Sequence, residues 1–400
     1  MRRGILGVLA LAVAGVATAQ GVPELVRRFG SAYLPYMPGA TVKADVNREA
    51  VTAVGPYLTM TVVKQSARPE RKEQAGMLVD PQTKTAAVGI VVQLTETQPA
   101  VTPDTLPVFC EQSLPELLRR ALNSQVRLRW PGTPTRMTGV VPLAALVQTG
   151  FGWMSLPLAI SADGRWLVVG GTWALDRDPR AVRREALANA KIQWDPDHEN
   201  ATVRVVEFSD YQCPACKREW LEYKPVFTSF GDKLRHGIVN FPLTSSHPWA
   251  FKASVAGLSI GDIWPDQVVP FKEFMYDQQA TVDVSTVDEA VFAFVQTRSL
   301  DEKAFRSSYM TEAAMEAVLR QMELGHRLGV TGTPTYYANG EALPLFDTDW
   351  ASKRLQAIIA AGGIPEKAAE IAYTPPTPGP VALPAAVIAP PPPAPKPLPK

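Results

Sequence analysis

Apolar positions follow two different spacings along the chain. Tyr57 to Lys64 and Thr85 to Leu94 are short runs rich in β-branched residues, with Asp80-Pro81-Gln82-Thr83 between them. Such runs around turn residues predict strands of a sheet joined by a turn. Leu158 to Ser161 and Trp166 to Val169 flank Ala162-Asp163-Gly164-Arg165 and predict a tight hairpin. Helical spacing governs Leu114, Leu117, Leu118, Ala121 and Leu122, and Ser113-x-x-Glu116 in front of them predicts a capping box. A short helix is expected around Pro23 to Phe29, and another from Asp178-Pro179 to about Lys191. The polar stretch Asp195 to Asn200 interrupts the pattern and predicts a domain boundary.

Beyond that boundary, Thr202 to Phe208 reads as a strand and Pro214 to about Phe230 as a helix. Residues 247–328 read as mostly helical, with segments near Ala250 to Ile260, Ser285 to Thr297 and Glu312 to Leu328. Trp249, Phe251, Phe271, Phe274, Phe292 and Phe294 are read as the core of these helices, with a substrate groove as the alternative. Residues 374–400 are dominated by Pro and Ala and predict an extended or disordered tail: a solvated spacer, or else a ligand for a partner. The expected organisation is a leader at 1–19, an α+β domain of unknown role at 20–191, a second domain at 192–373 and the tail.

Length and composition support two cores, since 400 residues with 46% hydrophobic content exceed what one core usually organises. A net charge of +1 provides no long-range field to attract nucleic acid, so no nucleic-acid partner is expected. Arg2-Arg3, the apolar run Ile5 to Val16 and Ala17-Thr18-Ala19 have the three parts of a secretory signal, cut after Ala19. A retained anchor is the alternative, although the run is shorter than a spanning helix needs. Export implies an oxidising, periplasmic or otherwise extracytoplasmic compartment, and three cysteines are too few for a disulfide-rich scaffold.

Two of those cysteines form Cys213-Pro214-Ala215-Cys216 at a strand-to-helix junction. Pro214 suits the first helical position, which leaves Cys213 at the N-cap beside unpaired amides and the positive end of the helix dipole. That location lowers a thiol pKa and makes Cys213 the acidic, exposed candidate nucleophile, while Cys216, one turn on and deeper, is its resolving partner. Taken alone, Cys-x-x-Cys could equally be half a zinc site. The third cysteine, Cys110, lies in the other domain, so a four-ligand site would need scattered histidines. No metal or organic cofactor is expected. Cys110 is read as a buried free thiol, with a mixed or intermolecular disulfide as the alternative.

From about Ala201 to Tyr373 the chain resembles the thioredoxin superfamily, and within it the DsbA-like branch. The resemblance rests on Val206 to Cys216, on Phe241-Pro242-Leu243 with His247-Pro248, and on Gly329 to Gly340, which contains Thr333-Pro334. It implies an α/β thioredoxin fold with a helical insertion at about 247–328, preceded by a separate α+β domain. It further implies a cis Pro334 facing the cysteine pair, with Thr333 offering backbone bonds to an extended substrate; an ordinary loop proline is the alternative. Glu207 occupies the position of a buried acid beneath the active site, either a proton relay or a purely structural group. His247 is read as a helix-start residue, and Lys217 and Arg218 as solvated, with Lys217 adding slightly to thiolate stability.

The implied activity is protein thiol–disulfide exchange by an exported enzyme. Its partners would be unfolded or reduced secreted proteins and a membrane or soluble redox partner. Pro-Ala between the cysteines differs from the Pro-His of strongly oxidising DsbA, so the direction of net transfer is open. Thr333 also occurs in the isomerases DsbC and DsbG, which dimerise through an N-terminal domain; an isomerase or reductase, with a homodimer through the N-terminal domain, is the second reading. A non-catalytic binding protein with a vestigial thioredoxin domain is the third.

Overall fold

The computed structural model describes residues 21–52, 55–67, 70–94, 101–130, 139–149, 152–343 and 347–371. The leader and the Pro/Ala-rich tail lie outside the described residues. Helix α1 (Val22–Tyr33) leads into four strands, β1 (Thr41–Thr52), β2 (Gly55–Ala67), β3 (Glu70–Asp80) and β4 (Thr85–Gln93). Helix α2 (Leu114–Leu122) and β5 (Val126–Arg129), β6 (Val140–Thr149), β7 (Gly152–Ser161) and β8 (Trp166–Ala174) follow. All eight strands pair antiparallel in the order β1-β2-β3-β4-β8-β7-β6-β5. The hairpin at Ser161 to Trp166 is present as expected. A turn also forms at Asp80 to Thr85, where Asp80 accepts the N–H groups of Gln82 and Thr83, but it joins β3 to β4. The strand β3, not expected, lies between β2 and β4, so the runs at 57–64 and 85–94 are not hairpin partners.

The expected capping box does not form. The chain is already helical from Leu106 and passes through a π-helical turn at Phe109–Ser113, so Ser113 has φ −97° and ψ −44° and caps nothing. Glu116 instead binds Arg119 and Arg120, and Thr102 and Thr105 exchange hydrogen bonds where the helical run starts. Cys110 is buried in this turn among Leu106, Phe109, Leu114 and Leu143.

Helix α3 (Pro179–Ala188), whose N-cap Asp178 accepts the Arg180 N–H, leads to the second sheet. Its strands are β9 (Gln193–Trp194), β10 (Val203–Ser209), β11 (Leu234–Asn240), β12 (Thr335–Ala338) and β13 (Glu341–Ala342), in the order β13-β12-β10-β11-β9. β10 and β11 run parallel, joined through α4 (Pro214–Ser229), and the other pairings are antiparallel. Five helices fill the span between β11 and β12: α5 (Ala250–Ile263), α6 (Val268–Gln278), α7 (Val287–Thr297), α8 (Glu302–Ser308) and α9 (Glu312–Arg327). Three of them match the expected segments; α6 and α8 were not expected. Helix α10 (Thr348–Ala360) closes the described chain.

The aromatic residues of the insertion are core, as read. Trp249, Phe271 and Phe294 lie in one buried cluster with Ala256, Met275 and Val291, and Phe251 joins the cluster around Phe208 and Phe241. Burying a side chain of this size contributes about 2–3 kcal/mol, enough to fix the insertion against the sheet that carries the cysteines. The two halves share a buried contact at Arg183, which donates to Leu328 O and Tyr33 O and lies over the rings of Tyr33, Trp173 and Tyr337.

Candidate active site

β10 delivers the chain to the site. After Ser209 the segment 210–213 turns, the Cys213 N–H bonds to Asp210 O at 3.2 Å, and Cys213 takes φ −70° and ψ 117° as the N-cap of α4. Pro214 opens the helix because the missing N–H costs nothing there. Cys213 is itself nearly buried, 5% exposed, and so is not the exposed thiol expected, because it packs with Trp220 and Tyr276; Cys216, one turn deeper in the same cluster, is fully buried. Across from the helix start, the Thr333–Pro334 peptide is cis, and Thr333 O lies 3.5 Å from the Cys213 sulfur. Both cysteines are free thiols in this structure.

The two thiols differ in acidity. A hydrogen bond from Cys216 outweighs burial and, with Thr333 and the Cys216 N–H, holds Cys213 down at about 6. Burial, together with the shared bond to Cys213, pushes Cys216 well up. Burial also pushes Cys110 up to about 12. A brief iodoacetamide pulse on the reduced, folded chain at pH 7 is therefore expected to modify Cys213 ahead of Cys216 and Cys110, read by peptide mass mapping. Equal labelling of all three would contradict this order.

Beneath the pair lies a charged layer that is closed to water. Glu207 on β10 is fully buried and accepts from Lys272 Nζ at 2.5 Å and bonds His236 Nε2 at 3.0 Å. Burial alone would raise the Glu207 carboxyl, but the Lys272 ammonium and the His236 bond hold it down at about 2. Lys272, also fully buried, stands 3.7 Å from the Trp220 ring centroid, and the Glu207 charge reaches Cys216. Lys272 was not singled out in the sequence. Its signal was there: it interrupts the apolar stripe Val268, Phe271, Met275, Tyr276 of α6 at a buried position.

The insertion also grips the cysteine turn from both sides. Asp210, fully buried, accepts the N–H groups of Gln212 (2.7 Å) and Leu243 (2.8 Å) and bonds His247 Nδ1 at 2.7 Å. Gln212 accepts from the Trp249 N–H, and Gln279 donates to Tyr211 O and Cys213 O. Lys217 is not a purely solvated residue, since its Nζ donates to Tyr276 O at 2.8 Å. His247 does more than start a helix: it precedes α5 and is committed to Asp210. Cys110 stays in the other half, apart from this assembly. Among the described residues, no three His, Cys, Asp or Glu side chains cluster to hold a metal ion.

A family model described as Thioredoxin matches residues 198–361, and with β10-α4-β11, the antiparallel β12 and the inserted helices it makes the C-terminal half a thioredoxin-fold domain. The disulfide bond formation protein D of Bacillus subtilis is 25% identical over 154 residues, 37% of this chain and 68% of that protein. The Na(+)/H(+) antiporter NhaA of Herminiimonas arsenicoxydans is 26% identical over 145 residues, 36% of this chain. The chain spans 22% of the length of that antiporter, and 58% of another named NhaA 1 from a Mycobacterium strain. Among solved structures, the thiol-disulfide exchange protein alpha-DsbA2 of Wolbachia pipientis aligns over 45% of this chain and 98% of its own, at 18% identity and a TM-score of 0.38. Among the described residues, no helix is long and apolar enough to cross a membrane.

Proposed function

We propose that this chain is an extracytoplasmic thiol–disulfide oxidoreductase that exchanges a Cys213–Cys216 disulfide with cysteines of exported proteins. The observation that carries this reading is the geometry of the pair: Cys213 at the N-cap of α4, Cys216 beside it one turn on, and the cis Thr333–Pro334 peptide facing them with Thr333 O 3.5 Å from the Cys213 sulfur. The low Cys213 and high Cys216 acidities follow from it. In the oxidising direction a substrate thiolate attacks the Cys213 sulfur, a mixed disulfide forms and Cys216 leaves as the thiolate, to be protonated. A second substrate thiolate then displaces Cys213, so two electrons pass to the enzyme and the substrate gains a disulfide. Cys213 is a good leaving group because its thiolate is stabilised. Thr333, at the cis Pro334, offers its backbone to an extended substrate beside the sulfur. Glu207, held ionised between Lys272 and His236, acts on Cys216 through its charge, which favours the protonated thiol, and not as a proton relay.

The reduction potential of the pair, measured against glutathione, tests the reading together with reactivation of scrambled ribonuclease. Reference values run from about −270 mV for thioredoxin to about −120 mV for DsbA. A potential toward the oxidising end with little reactivation is expected; strong reactivation would make it an isomerase. A pair that never equilibrates with glutathione would sink the enzyme reading and favour a binding protein.

A further inference from the structure

Asp210 poses an electrostatic problem next to the candidate nucleophile. Its two oxygens tie the cysteine turn together by accepting the Gln212 and Leu243 N–H groups, and its carbonyl accepts the Cys213 N–H. A carboxylate serves this purpose well, because it can accept several N–H bonds at once. Its negative charge, however, disfavours the thiolate three residues on and pushes both Cys213 and Cys216 up.

His247 faces the same carboxylate. Oδ2 can only accept, so Nδ1 is the protonated nitrogen of the 2.7 Å bond, and Nε2 is the one that gains or loses a proton. The segment 241–249 carries no other charged residue, and the nearest cation of α5, Lys252, is engaged by Asp288 at 2.6 Å. The charged groups that His247 meets are thus Asp210, from the turn after β10, and Cys213, from the start of α4. The bond to Asp210, followed after burial by the charges of Asp210 and Cys213, raises the imidazole pKa. The effect is reciprocal: whatever a thiolate does for the imidazolium, the imidazolium does for the thiolate.

We propose that His247 is a positioning residue of the exchange site, supplying the positive charge that offsets Asp210 and thereby sustains the Cys213 thiolate. This rests on the exchange reading above and deepens it. The cysteine turn obtains its rigidity from a buried carboxylate, and the insertion returns a histidine to cancel the charge that this carboxylate brings. Here the histidine comes from 34 residues downstream of Cys213, not from between the cysteines, where Pro214 and Ala215 stand.

The test uses the full chain and two variants. His247→Gln keeps a side-chain N–H for Asp210 and removes the charge; His247→Gln combined with Asp210→Asn removes both charges. Thiolate absorbance at 240 nm is titrated, and the equilibrium with glutathione is measured. His247→Gln is expected to raise the Cys213 pKa by about one unit, as loss of a nearby opposite charge does. The pair should also become less oxidising, because the reduced form loses stabilisation while the disulfide does not. The double variant should return most of the way to the parent value. A merely structural role would lower Tm without moving the thiolate titration. An unmoved titration in folded His247→Gln, or a double variant no closer to the parent than the single one, would overturn the proposal. Because the titration needs no exchange, it decides the role of His247 even where the wild-type pair fails to equilibrate with glutathione, a result that would instead remove the exchange reading.

Discussion

Cys213→Ser is expected to slow exchange with a model disulfide by at least about a hundredfold at pH 7, on ionisation alone. With its pKa at about 6, Cys213 is about nine-tenths thiolate at that pH. Cys216, left alone, ionises above the ordinary thiol range, so less than about 1% of it is thiolate, and its sulfur is fully buried. Cys216→Ser should act differently. The serine hydroxyl can still donate to Cys213, so the nucleophile stays acidic, but the resolving thiol is gone. Incubated with disulfide-bonded client proteins, the Cys213 thiolate should attack a client disulfide and release the client's other sulfur as a thiol, so that mixed disulfides accumulate on Cys213 and release with dithiothreitol, visible on non-reducing gels and by intact mass. Cys216→Ala removes that donor as well and should return Cys213 toward ordinary thiol acidity, since the Cys216 bond is the largest cause of its depression. Equal residual activity in Cys213→Ser and Cys216→Ser, without trapped species, would mean that the two sulfurs do not divide the work as their unequal acidity implies.

How much of this site is legible in the sequence depends on the distance over which each contact acts. The N-cap placement of Cys213 is local: a cysteine before a proline that opens a helix after a β-branched strand leaves little choice. The buried Glu207 is also locally visible, as a charge inside an apolar run. Its partners are not. Lys272 is 65 residues away and His236 is 29, and only the packing of α6 and β11 on β10 brings them together. An acid inside one apolar run and a lysine inside another are each costly alone, so finding both is grounds for pairing them. The bond between His247 and Asp210 was not legible for a related reason. Asp210 looks like an ordinary turn residue, and nothing local shows that the carboxylate is enclosed. In the N-terminal domain the turns and hairpin were legible because their residue chemistry is local. The Ser113 cap failed because a helix that begins earlier overrides a short-range signal, and no pattern of apolar spacing announces a π-helical turn.

The insertion thus does more than cover a thioredoxin sheet. It supplies Lys272 and Gln279, while the segment leading into it supplies His247, so the cysteine turn and the charged layer beneath it are completed from outside the β10-α4-β11 unit. The carboxylate on β10 is affordable only while α6 is docked, which couples the stability of the insertion to the chemistry of Cys216.

That coupling sets the largest expected effect on stability. Lys272→Met keeps the length of the side chain against Trp220 but leaves Glu207 buried with only His236, and should cost about 3–5 kcal/mol at pH 7, measured by urea unfolding. The sign of the pH dependence follows from the carboxyl. In the parent chain the folded-state pKa of Glu207, about 2, lies below its unfolded value, so its contribution is present above about 4.5 and is lost as pH falls toward 2. Without Lys272, burial pushes that carboxyl up instead, and the penalty should shrink as Glu207 takes a proton on acidification. The parent therefore loses stability on going to pH 4 while the Lys272→Met deficit narrows. Adding Glu207→Gln should recover much of the deficit at pH 7, since removing both partners leaves no uncompensated charge. A Lys272→Met deficit that is constant with pH, and not rescued by Glu207→Gln, would show that the lysine stem and its packing on Trp220 hold α6 in place, and that the ion pair contributes nothing to it.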